Sequence, residues 1–198
     1  VPTTVLLPSV VDAVDIPVVA AGGFYDGRGL AAALAYGAAG IAMGTRFLLT
    51  SDSTVPDAVK QYYLGRGTTD TVLTRRVDGV PHRVLRTPMV EKLDTAGPVR
   101  GLARAAGNAV RFRRLTGLSL PAMLREGIRM KRRSGFTWSE VIMAANTPML
   151  LRAGLVDGSL DSGVLASGQV VGLLDGLPSV EELIDGIVDE AEAVLRKW

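Results

Sequence analysis

The chain has 198 residues, 47% of them hydrophobic and 21% charged, with a formal net charge of +2. That is the composition of a globular protein with one sizeable core, and no run nears the roughly eighteen apolar residues of a membrane span. There is no cysteine and a single histidine, His82, which excludes disulfides, thiolate nucleophiles and metal sites built on Cys or clustered His. The opening Val1-Pro2-Thr3-Thr4 lacks the basic flank and apolar core of a signal peptide. The expectation is a cytoplasmic protein with no membrane and no metal among its partners.

Leu6 to Val14 carries apolar residues at 6, 7, 10, 11 and 14, the spacing of a helix. After Pro17, Val18-Val19-Ala20-Ala21 is an unalternated apolar run closed by Gly22-Gly23, which predicts a strand buried on both faces. Asp26 is placed to cap a helix over about Gly27 to Tyr36, whose alanines suit close packing on a sheet, and Gly37 ends it. Gly40-Ile41-Ala42-Met43 repeats the strand pattern and stops at Gly44-Thr45. The 22 positions from Gly22 to Gly44 make a compact crossover between parallel strands. Gly22-Gly23-Phe24-Tyr25-Asp26-Gly27 lacks the Gly-x-Gly-x-x-Gly spacing of a dinucleotide fold.

Beyond Phe47, Pro56 opens a helix to about Leu64. Asp78-Gly79, inside Thr68 to Val84, predicts a hairpin or tight turn. Helices are expected from Val99 to about Leu115, from Ser119 to near Arg133, and from the capping box Thr137-Trp138-Ser139-Glu140 to near Thr147-Pro148. Gly163 to Gly172 holds a further apolar stretch, and Ser179-Val180-Glu181-Glu182 opens a last helix that buries Leu183, Ile184, Ile187, Val188 and Ala191. The expected divisions are 1–55 with two strand–helix units, a mainly helical 56–160, and a returning segment with a helix over 161–198.

The two glycine loops carry the chemistry. Neighbouring parallel strands end side by side, so Gly22-Gly23 and Gly44-Thr45 converge. Glycine lets backbone amides face an anion without a Cβ in the way, and Thr45 adds a hydroxyl. A helix amino end beyond each loop adds a favourable field. In (β/α)8 barrels phosphate sits at the loops after strands seven and eight; two ordinary βα turns would also contain glycine. Arg46 is placed to pair with a phosphate or to brace Asp26 or another acid. Met43, at a strand end, suits either a ligand ring or the core. His82 has no acid partner evident nearby, which favours a structural or exposed role over acid–base work. Arg100 to Arg133 holds ten Arg or Lys and one Glu, including Arg111, Arg113, Arg114, Lys131, Arg132 and Arg133. Such a block is either a solvated face or a grip for an anionic partner. Sparse aromatic interleaving argues against nucleic acid.

Pro17-Val18-Val19-Ala20-Ala21-Gly22-Gly23, Asp26-Gly27-Arg28-Gly29 and Gly40-Ile41-Ala42-Met43-Gly44-Thr45-Arg46-Phe47 together resemble the nitronate monooxygenase family, once called 2-nitropropane dioxygenases, and its FMN-dependent enoyl reductase kin. Phe47 to Lys60, Pro81 to Thr87, Met143 to Leu151 and Gly163 to Val170 look like actinobacterial flavin-dependent oxidoreductases of steroid-ring degradation within that group. The resemblance covers essentially the whole chain. It implies an α/β fold, the C-terminal portion of a (β/α)8 barrel with an inserted and C-terminal mainly helical region. Barrel strands one to six, with a His-bearing loop credited with acid–base work, are expected outside this chain, as a missing N-terminal half-barrel. No catalytic residue is therefore assigned.

As the resemblance implies, FMN would sit on Ala21, Gly22, Gly23, Gly44, Thr45 and Gln169. The substrate would be a CoA thioester, its phosphates met by the basic block, with NAD(P) or O2 as electron partner and a homodimer as the assembly. Two other readings stay open: a nitronate monooxygenase using O2, and a non-catalytic phosphate-binding or structural subunit.

Overall fold

The computed structural model describes residues 1–95, 107, 108, 110, 113, 117, 119–134, 141, 144 and 146–197. In chain order the elements are α1 (Thr3–Ala13), β1 (Val19–Ala21), α2 (Gly27–Ala35), β2 (Gly40–Ala42), α3 (Thr45–Leu48), α4 (Asp57–Leu64), β3 (Thr71–Thr74), β4 (His82–Leu85), α5 (Pro88–Thr95), α6 (Leu120–Ser134), α7 (Asn146–Leu155), a 3₁₀ helix (Gln169–Leu173) and α8 (Val180–Leu195). The helix expected from Val99 to Leu115 lies largely outside the described residues, and the Thr137–Glu140 box lies wholly outside them. Two compact units form: residues 1–54, 62–68 and 168–198, and residues 55–61 and 69–167.

In the first unit β1 and β2 pair in parallel, with Val19 opposite Gly40, Ala20 opposite Ile41 and Ala21 opposite Ala42. The crossover between them is α2. Its amino end is capped by Asp26, whose Oδ1 accepts the Gly29 amide at 2.9 Å. It ends where Gly37 turns to φ +88°, a left-handed conformation that glycine adopts without steric cost. Leu7, Ala20, Ala33 and Ala38 are buried together, with Val11, Val18, Phe24 and Ile41 packed against them. The expectation of a strand buried on both faces is not met in β1. Ala20 is buried, but Ala21 is exposed and Val19 is 58% exposed. Among the described residues this sheet has two strands.

The last helix, α8, opens with the expected capping box, Ser179 Oγ accepting the Glu182 amide and Glu182 accepting the Ser179 amide. It buries Leu183, Ile187 and Ala191, whereas Ile184 and Val188, also expected inside, are exposed. The buried set is a single i, i+4, i+8 ridge, which is all one neighbouring helix can cover. That neighbour is α2, and the approach is close. A Cβ added to Gly27 would lie 2.5 Å from the Ile187 carbonyl oxygen and 2.6 Å from the Ala191 nitrogen.

In the second unit β3 and β4 form the antiparallel hairpin expected around Asp78-Gly79, with Thr71 opposite Leu85 and Thr74 opposite His82. The chain returns beside β4 at residues 165–167, where the Leu85 amide donates to the Leu165 carbonyl at 2.8 Å and the Ser167 amide to the Arg83 carbonyl at 3.2 Å. Val77, Val84, Met89, Val90, Leu93, Leu150 and Val164 make the core. Two helices were not foreseen. The first is α5, although Thr87-Pro88 marks its start: Thr87 Oγ1 accepts the Val90 amide at 3.3 Å and proline takes the first helical position. A further helix, α7, begins at Asn146, with Pro148 in its first turn, where no amide bond is lost; the helix expected to end near Thr147-Pro148 lies largely outside the described residues. No helix among the described residues is long and apolar enough to cross a membrane.

The α2–α8 contact yields a stability prediction. Gly27→Leu, which forces backbone apart at a packed helix crossing, is expected to cost about 2–4 kcal/mol. Urea unfolding of the variant beside wild type checks this; a loss below the error of the measurement would mean that α8 does not sit on Gly27.

Candidate anion-binding site

The site is built from the ends of β1 and β2. Ala21 and Ala42 face each other in register, so Gly22-Gly23 and Met43-Gly44 leave the sheet side by side. Gly22 has φ +95° and Gly23 has φ +85°, conformations in which a side chain is strained. A Cβ added at Gly22, Gly23 or Gly44 would meet no heavy atom within 4 Å. Gly22 and Gly23 are thus required by backbone conformation and not by packing, Gly44 has an ordinary φ of −92°, and the space before all three is open. Among the described residues neither the Gly23 nor the Gly44 amide has a hydrogen-bond partner.

Thr45 follows directly, half-buried at the start of α3. Its Oγ1 accepts the Gly168 amide at 2.8 Å. A hydroxyl that accepts one bond still has its own hydrogen to donate. The same bond brings the 168–173 segment beside the loop end, with Gln169 exposed next to Gly168. The structure thus places Ala21, Gly22, Gly23, Gly44, Thr45 and the Gly168-Gln169 segment in one unit. Arg46 points the other way in exposure: it is 6% exposed, and its Nε has no hydrogen-bond partner. Burial pushes its pKa down, and the field of Asp175 only partly offsets this.

One expected contribution is already taken. The amino end of α2 would favour an anion, but its Gly27 and Gly29 amides are bonded to carboxylates. Glu190 Oε2 accepts the Gly27 amide at 2.7 Å, Asp26 accepts the Gly29 amide, and Arg28 Nε donates to Asp26 Oδ2 at 2.7 Å. These acids offset the field that the α2 amino end would offer an external anion.

The nitronate monooxygenase family profile matches residues 1–190. The chain belongs to the nitronate monooxygenase family. It is 66% identical over 189 residues to the (3aS,4S,5R,7aS)-5-hydroxy-7a-methyl-1-oxo-octahydro-1H-indene-4-carboxyl-CoA dehydrogenase of Rhodococcus jostii, covering 96% of this chain and 54% of that protein. To the protein of the same description from Mycobacterium tuberculosis it is 65% identical over 192 residues, with the same coverage. Among solved structures, FabK from Thermotoga maritima superposes over 100% of this chain and 51% of its own, with a TM-score of 0.66 and 32% identity. The chain spans about half the length of the curated relatives it matches. Its fold is the C-terminal portion of the family's (β/α)8 barrel.

In this nitronate monooxygenase relative, His82 corrects the sequence reading. It does have an acid partner four residues away. His82 Nε2 lies 2.9 Å from Asp78 Oδ2 and 3.0 Å from Oδ1. Thr147 Oγ1 donates to Oδ2 at 2.6 Å, and the Val80 amide donates to Oδ1 at 2.9 Å. An ionised carboxylate only accepts, so His82 carries its proton on Nε2. The i, i+4 spacing was visible, but Asp78 read only as a turn residue. Burial would raise the Asp78 carboxyl; the bonds from Thr147, Val80 and His82, with the charge on His82, outweigh it and hold the carboxyl below its ordinary value.

This hub ties the hairpin to the first turn of α7. Removing the carboxylate by Asp78→Asn is expected to cost about 1–3 kcal/mol at pH 7. Because the folded pKa lies below the unfolded one, the wild-type advantage is present above an unfolded value of about 3.9 and disappears as pH falls through the folded value. Denaturation of both proteins from pH 7 to pH 3 checks it; a difference that stays constant across this range would remove the Asp78 charge from the account.

Proposed function

We propose that the protein is an FMN-dependent oxidoreductase that dehydrogenates a CoA thioester in the degradation of steroid rings. The observation that carries this reading is the paired glycine cradle: two loops at the ends of adjacent parallel strands, with open space before Gly22, Gly23 and Gly44, a hydroxyl on Thr45 oriented by Gly168, and on the next residue a buried arginine whose Nε has no hydrogen-bond partner among the described residues. These features fit a phosphoryl group. The FMN phosphate would be held by the Ala21–Gly23 and Gly44–Thr45 segments, with Gln169 beside it. When bound, FMN supplies the two-electron acceptor or donor that no side chain here provides.

The substrate class is supported by the identity to the two indene-carboxyl-CoA dehydrogenases, whose substrate carries a CoA thioester on ring carbon 4 and a hydroxyl on carbon 5. Oxidation at such a thioester removes one hydrogen as a hydride equivalent and one as a proton from the carbon next to the carbonyl. The residues of this chain bind and orient; the group that moves the proton is not assigned among them. The 56–160 region would take the substrate. On α6, Arg125, Arg129, Lys131 and Arg132 are exposed and offer charge to the CoA phosphates. A cytoplasmic setting, where CoA esters occur, follows from the same reading.

The whole protein is expected to bind FMN. Gly23→Val, which places a β-branched residue at positive φ, should abolish that binding, and Thr45→Val should weaken it about tenfold through one lost hydrogen bond. Under anaerobic conditions the hydroxylated bicyclic CoA thioester should bleach the flavin. Turnover of an alkyl nitronate with O2 and no reaction with the thioester would favour the nitronate monooxygenase reading. A protein that never takes up flavin would leave only a structural role.

A further inference from the structure

Arg46 is unexplained by the protein around it. Its side chain is 6% exposed, and its Nε finds no partner. Asp26, the acid that its position in the sequence suggests, is already bonded to Arg28 and the Gly29 amide. Glu190 is bonded to the Gly27 amide. Asp175 contributes a field, but it is exposed, and among the described residues Arg46 makes no ion pair. A guanidinium cannot shed its charge, and a buried charge without a counter-ion is strongly unfavourable. Among the described residues nothing neutralises it. The adjoining residues are Gly44, open to added atoms, and Thr45, with a hydroxyl hydrogen to give.

We infer that Arg46 is the charge-matching residue of the phosphate site and sets the preference for the phosphorylated flavin over riboflavin. This rests on the FMN reading above and adds a specificity determinant to it. Glycine amides and one hydroxyl provide shape and hydrogen bonds, and a dianion also needs a full positive charge close by. Arg46 supplies it from a desolvated position, where salt screens it least.

The test uses the whole enzyme, stripped of flavin, as wild type, Arg46→Met and Arg46→Lys. FMN and riboflavin are titrated by quenching of flavin fluorescence, and apoprotein melting is followed with and without inorganic phosphate. Arg46→Met is expected to lower the FMN-to-riboflavin affinity ratio by about ten- to a hundredfold, the worth of a charge-assisted hydrogen-bonded pair, with riboflavin affinity unchanged. Arg46→Lys, a point charge without the planar fork, should fall between. The Met apoprotein should melt no lower than wild type, since no protein partner is lost, and phosphate should raise the melting temperature of wild type but not of Arg46→Met. An unchanged affinity ratio overturns the inference, as does an Arg46→Met chain that cannot fold, since the guanidinium would then be serving the protein itself. If wild type takes up no FMN yet phosphate still stabilises it through Arg46, the flavin reading fails and the anion site stands. If neither binds, both fall.

Discussion

The parallel pairing of β1 and β2 is the constraint on which the rest depends. Three residues on each strand are in register, and the crossover between them is one short helix of small residues. Such a helix lies close to the sheet because alanine and glycine leave its surface flat. The geometry fixes where each strand stops, and the stops fall on glycines. Two adjacent turns therefore present backbone in the same direction, and Gly22 and Gly23 hold positive φ angles there that no other residue type would accept cheaply.

The second layer of the design is the way α8 clamps α2. Gly27 lets the two backbones nearly touch, and Glu190 reaches from α8 to the Gly27 amide. A carboxylate at a helix amino end is stabilising, so this contact secures the crossover. It also uses up the helix amino end as an anion site. The protein has committed that field to its own acids. On the reading proposed above, charge for a phosphate would then come from elsewhere, which is why a buried arginine next to the second glycine loop carries weight there.

Much of this was legible in the residues. Gly-terminated apolar runs separated by an alanine-rich, Asp-capped stretch named the strand–helix–strand unit, and its motifs named the family. The Ser179 capping box and the Asp78-Gly79 turn also formed as read. The failures share a cause: they depended on what each residue would meet. Val19 read as buried because apolar runs usually have layers on both sides, and here it is exposed. Ile184 and Val188 read as buried because they are apolar at helical spacing, but one neighbour covers only one ridge. His82 seemed to lack an acid because Asp78 had been given a different job, and a turn residue can do both.

The site itself was legible only in its backbone part. Gly22, Gly23 and Gly44 announce themselves because conformation is written locally, two or three residues at a time. The bond from Gly168 to Thr45 joins residues 123 positions apart, and no spacing rule reaches that far. Arg46 shows the same limit more sharply. A guanidinium on a loop is unremarkable in a sequence, and its meaning lies wholly in burial. An exposed arginine here would add little to an anion already solvated by water. A desolvated one interacts through a medium of low dielectric response, so its attraction for a phosphoryl group is far stronger, and its cost when empty is correspondingly high. On the reading proposed above that cost would fall on the empty protein, and binding the anion would raise its stability.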